Sequence, residues 1–83
     1  MLMKSEDNVI PSEEAYRVME KEIEIVCSLN LGLSYLKIKE YQMAIKYTSN
    51  VLAKDPDNDK ALYRRGMAYI GTGDISKAKA DLT

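Results

Sequence analysis

The chain has 83 residues, with twelve lysines and arginines against thirteen aspartates and glutamates, one cysteine and no histidine. A domain of this length buries only about 60% of the surface its unfolded chain exposes, and so nearly balanced a charge leaves no electrostatic footprint for nucleic acid. Without histidine, a serine or cysteine nucleophile lacks its usual base and zinc its commonest ligand, so no catalytic centre, metal or cofactor is expected.

The opening MLMKSEDN turns polar after three residues, too short an apolar run for a signal peptide. Residues 1–11, ending at Pro11, read as a mobile lead-in. No run of about eighteen apolar residues exists, so no membrane span is expected. The lone thiol, Cys27, excludes an internal disulfide and suits a reducing, cytoplasmic compartment. It lies four residues before Leu31 in an apolar helical pattern, which predicts a small buried hydrophobe.

Ser12 is placed to cap a helix whose first turn carries Glu13 and Glu14. Apolar or small residues then recur at Ala15, Val18 or Met19, Ile25, Leu29, Gly32 and Tyr35 or Leu36, the three-to-four spacing of a helical face. One long helix over 12–38 follows. A second is expected over 41–54, on the period of Ala44, Tyr47, Val51 and Leu52. DPDN at 55–58 is a turn, because Pro56 drives the preceding residue away from helix. A third helix is expected over 58–71; GTGD breaks it, and a fourth runs over 75–82. The class is all-α, with residues 12–83 as one unit.

The chain also matches itself. Shifted by 34 residues, Gly32 falls on Gly66, Tyr35 on Tyr69, Tyr41 on Ile75 and Ala44 on Ala78. Glycine costs about 1 kcal/mol against alanine inside a helix. Its recurrence therefore predicts a point where two helices approach closely, with the alanine of the next helix against the same junction.

A helix–turn–helix of this period resembles the tetratricopeptide repeat, whose motif runs W-x2-L-G-x2-Y, then alanine, an aromatic and proline. In the first copy Leu31, Gly32, Tyr35, Ala44 and Pro56 match and Ser28 stands in place of tryptophan. In the second, Leu62, Gly66, Tyr69 and Ala78 match, and Arg65 stands where the first copy has Leu31. The resemblance covers residues 25–83 and implies a solenoid of about two repeats behind a long leading helix. In such stacks the first helix of each repeat lines a concave groove.

Lys60 and Arg64 stand four apart and project together. Asn30 lies one repeat before Arg64, and Lys37 two turns after Asn30 on the same face, with Leu33, Leu36 and Met67 expected on the groove side between them. Amide and cationic donors beside apolar side chains suit a terminal carboxylate and the residues preceding it. The pattern resembles the carboxylate clamp of chaperone-binding tetratricopeptide domains, which grip the Glu-Glu-Val-Asp tail of ninety- or seventy-kilodalton heat-shock chaperones. The wording of residues 29–69 is similar to the repeat domain of large FKBP-type immunophilins, in which a peptidyl-prolyl isomerase domain lies upstream. The resemblance assigns peptide binding to Asn30, Leu33, Leu36, Lys37, Lys60, Arg64 and Met67. It also implies a lysine and an asparagine from a further repeat, and residues 1–24 fit no such repeat, so the clamp is incomplete here. Fewer than three stacked repeats leave ends uncovered, which predicts self-association or swapping between copies.

Overall fold

The computed structural model describes residues 12–83, which form four helices: α1 Glu13–Lys37, α2 Tyr41–Lys54, α3 Asp59–Thr72 and α4 Ile75–Leu82. The lead-in expected over residues 1–11 lies outside the described residues. α1 packs on α2, α2 on α3 and α3 on α4, and α1 also touches α3. Two helical hairpins are thus stacked with their first helices side by side. None of the described helices is long and apolar enough to cross a membrane.

Local chemistry sets the ends of these helices. The hydroxyl of Ser12 accepts from the Ala15 N–H at 3.1 Å, and the Asn58 side chain accepts from the Ala61 N–H at 2.9 Å. Each takes one of the backbone donors that a helix start leaves without a partner. The two hairpins turn in the same way. Glu40 N–H donates to Tyr35 O and Lys39 N–H to Leu36 O; Asp74 N–H donates to Tyr69 O and Gly73 N–H to Ile70 O. These are the paired bonds that close a helix through a left-handed residue. That residue is Gly73 at φ 85° in the second hairpin but Lys39 at φ 64° in the first.

The interior is built from small side chains: Ala44, Val51, Ala61, Ala68, Ala78 and Thr48 are the buried ones. Small residues let helix axes approach, and the recurring glycines mark where they do so. A Cβ at Gly32 would lie 2.8 Å from the Thr48 methyl, and one at Gly66 2.6 Å from Leu82. Thr48 and Leu82 are themselves one repeat apart, so the same junction is built twice. Gly71 serves a contact that sequence periodicity did not signal. The ring of Tyr41 lies where its Cβ would be, and the helix runs on through it to Thr72.

The departure at Arg65 is resolved by an ion pair. Its guanidinium donates twice to the Asp81 carboxylate, at 2.7 and 2.8 Å, and once to the Ser49 hydroxyl at 3.2 Å. α2, α3 and α4 are tied together at one residue. The hydrogen bond to Asp81 raises the guanidinium pKa above its ordinary value in spite of partial burial. In the first copy the equivalent positions hold Leu31 and Tyr47, so an apolar pairing of types gives way to an ionic one.

Cys27 is not buried, contrary to expectation; it is exposed. The repeat explains why. Its counterpart Ala61 is 0% exposed, on the stripe Ala61–Arg65–Ala68 that faces α2 through Arg65 and Ser49. Nothing among the described residues covers the equivalent stripe of α1, Cys27–Leu31–Ser34. A helical period identifies a shared face but does not supply its cover.

Candidate functional site

Seven residues were singled out on the two first helices, and their burial varies. Asn30, Lys37 and Lys60 are exposed, while Leu33, Leu36, Arg64 and Met67 are half-buried. Arg64 is the one that joins the helices. Its Nη1 donates to the carbonyl oxygen of Leu29 at 2.9 Å, across 35 residues of sequence. Leu29 directly precedes Asn30, so the guanidinium is held at the turn of α1 that carries the Asn30 amide. This tie was not legible in the sequence, because its acceptor is a main-chain oxygen and any residue type could have supplied it.

Lys60 lies one helical turn before Arg64, about 6 Å along the axis of α3. It occupies the first turn of that helix, where a cation gains nothing from the helix dipole. Among the described residues neither Lys60 nor Arg64 forms an ion pair, although Asp55, Asp57 and Asp59 are close by in sequence. The adjacent Arg65 is the opposite case, since two of its nitrogens are taken up by Asp81. Consecutive residues on a helix point about 100° apart, so Arg65 faces the interior and Arg64 faces α1.

Along α1, Asn30, Leu33 and Lys37 fall on one line at steps of three and four residues. Lys37 stands about 10 Å beyond Asn30 at the far end of that line. Met67, one repeat after Leu33, holds the matching place on α3. Leu36, three residues after Leu33 and seven after Leu29, lies beside that line on the flank of α1 whose Leu29 carbonyl Arg64 reaches. The surface between α1 and α3 therefore offers an amide, a tethered guanidinium and two ammonium groups beside three half-buried apolar side chains. Such a set can hold an anion by charge-assisted hydrogen bonds while contacting an apolar neighbour.

The family model described as "Tetratricopeptide repeat" matches residues 35–82. Among curated proteins, Outer envelope protein 61 of Arabidopsis thaliana is 42% identical over 74 residues, covering 89% of this chain and 12% of that protein. Peptidyl-prolyl cis-trans isomerase FKBP4 of Homo sapiens is 33% identical over 70 residues, covering 84% of this chain and 15% of that protein. The chain thus spans well under a fifth of the length of these relatives. No solved structure matches it.

Proposed function

The chain belongs to the tetratricopeptide repeat family of non-catalytic interaction modules, and from that premise we propose that the surface between α1 and α3 binds the C-terminal carboxylate of an acidic peptide. The ligand in this reading is the Glu-Glu-Val-Asp tail of heat-shock chaperones of the ninety- or seventy-kilodalton class. The chain would serve as part of an immunophilin-type co-chaperone in the cytoplasm, and the similarity to a peptidyl-prolyl isomerase supports that choice. Any isomerase activity would belong to a separate domain of such a protein.

One observation carries the proposal: Arg64 is anchored to the Leu29 carbonyl while it and Lys60 make no ion pair among the described residues. An anchored guanidinium loses less side-chain freedom on binding and keeps further N–H groups for a carboxylate. Lys60 adds charge one turn away, and Asn30 adds a neutral donor. Leu33 and Met67 contact the side chain that precedes the terminal acid. Lys37 reaches a more upstream acidic residue.

The test is titration of a fluorescent Met-Glu-Glu-Val-Asp peptide beside its C-terminally amidated form. The free acid binds weakly, since the partial clamp lacks a further lysine and asparagine, and the amide does not bind. Equal binding of both forms, or of neither, would defeat the reading. Lys60→Ala lowers affinity about ten-fold or more, as expected for loss of one charge-assisted bond, with helicity unchanged.

A second reading, self-association, is favoured by the apolar residues exposed at the two ends of the stack: Leu31 and Ile38 at one, Tyr63, Ile75 and Leu82 at the other. Light scattering at tens of micromolar decides it, and a monomeric mass would count against it.

A further inference from the structure

The two hairpins close with the same bonds but with different residues, and each serves as a control for the other. In the second, the left-handed position is Gly73 at φ 85°, followed by Asp74, which caps α4 and pairs with Lys77. In the first, the left-handed position is Lys39 at φ 64°. Glycine adopts this conformation freely, whereas a residue with a Cβ loses stability in it. The fold therefore has a better residue for this turn and uses it only once. Lys37, in the last turn of α1, already supplies the cation that the helix dipole favours, so the dipole does not call for another at Lys39.

This turn stands at the end of the surface between α1 and α3. Gly71 lies seven residues after Arg64, on the flank of α3 that faces α1. The Tyr41 ring rests on Gly71, so residues 38–40, just before it, are held against the end of α3. Lys39 is exposed there, and neither it nor Lys37 forms an ion pair among the described residues. Residues 37–40 carry two lysines and one glutamate, Glu40, whereas the equivalent residues 71–74 carry no cation. Stacking leaves the position open on both sides. Lys39 is exposed although the second hairpin follows it, and Gly73, with the first hairpin before it, has nothing within 4 Å of where its Cβ would be.

We propose that Lys39 is a specificity-determining residue, selecting partners whose C-terminal segment stays acidic four or five residues before the terminal carboxylate. This rests on carboxylate binding between α1 and α3. An extended chain advances about 3.3 Å per residue. With its terminal carboxylate at Asn30 and Arg64, it passes Lys37, about 10 Å along α1, at the third residue back. It reaches the turn at the fourth or fifth. The acidic run of a Glu-Glu-Val-Asp tail ends at that third residue, so Lys39 distinguishes among tails that share those four residues. A lysine kept where glycine is more stable fits a site at which binding, not folding, sets the residue type.

The experiment uses the whole 83-residue chain and two fluorescent hexapeptides that end in Glu-Glu-Val-Asp. One begins Glu-Glu and the other Gln-Gln, and each is also made with an amidated C-terminus. The Glu-Glu peptide binds about three-fold more tightly at low salt, as for one exposed ion pair, and the difference fades at high salt. Lys39→Gly abolishes the difference while raising thermal stability, and Lys39→Arg keeps it. Lys37→Ala weakens both peptides alike. Lys79→Ala, which removes a charge from α4, a helix that does not touch α1, leaves the difference intact. The proposal is overturned if the two free acids bind equally while the amides do not, and carboxylate binding then stands. If neither free acid binds, or the amides bind as well as the acids, carboxylate binding falls and the role of Lys39 with it. A difference that survives Lys39→Gly, or that Lys79→Ala removes to the same extent, also overturns the proposal, because its source would lie elsewhere than at this turn.

Discussion

α1 and α3 occupy the same place in successive repeats, and they differ in what covers them. Along α3, Ala61 and Ala68 are buried and Arg65 bonds to α2 and α4; along α1, the counterparts Cys27, Leu31 and Ser34 are exposed. The residue types follow this only in part. Alanine, serine and cysteine are all small enough for a close helix junction, so both stripes are shaped for a cover and, among the described residues, only one has it. Equivalent positions in a repeat therefore share a shape requirement without sharing an energy.

Substitutions at paired positions break or sharpen this comparison, and the largest effect concerns chemical access. Cys27 reacts with a thiol reagent at the rate of a free thiol. In a Cys27→Ser background, Ala61→Cys reacts on the order of 100-fold more slowly, because a buried group is reached only through local opening. Equal rates would mean that the α3 stripe is not closed in solution.

Filling the two stripes comes next. Ala68→Leu costs about 1–3 kcal/mol by overpacking, whereas Ser34→Leu changes stability by less than about 0.5 kcal/mol, as at an ordinary surface position. Chemical denaturation of both variants decides it, and similar losses would place a cover on α1. Arg65→Ala costs about 2 kcal/mol: it leaves the Asp81 carboxylate buried without a cation, reduced from a fully interior pair because Arg65 is partly exposed. Its α1 counterpart, Leu31→Ala, costs less, since Leu31 is 41% exposed.

The smallest effects lie at the glycines and the turns. Gly32→Ala is destabilising, because the Thr48 methyl is fixed: its side chain is 0% exposed and its hydroxyl donates to the Ala44 carbonyl. Gly66→Ala is less costly, because Leu82 is 43% exposed and its side chain can turn toward solvent, and alanine returns about 1 kcal/mol of helix propensity. Lys39→Gly raises stability by about 0.5 kcal/mol: relief of the left-handed conformation slightly exceeds the entropy glycine adds to the unfolded chain. A thermal melt that shows no gain would mean Lys39 is unstrained there.

Much of the architecture was legible because it depends on local rules. Ser12 and Asn58 cap their helices through their own side chains, Pro56 lies in the turn between α2 and α3, and the period of 34 residues repeats one hairpin. The misreading at Cys27 has a physical cause. Cys27 sits in a helical pattern that predicts burial, yet its cover depends on neighbours remote in sequence. The donor types of the candidate site could be named from Asn30, Lys60 and Arg64; the bond from Arg64 to the Leu29 carbonyl could not.

What the sequence by itself determined, then, is the set of helices, their period and the residue types along each face, because capping, turn chemistry and a 3.6-residue repeat act within a few residues of the chain. The tertiary structure decided which faces are closed. It committed Arg65 to Asp81 and Ser49 while leaving its neighbour Arg64 turned to α1, and among the described residues it left the Cys27–Leu31–Ser34 stripe of α1 exposed. The physical reason is that burial and pairing belong to the space between helices, and that space exists only once the hairpins have stacked.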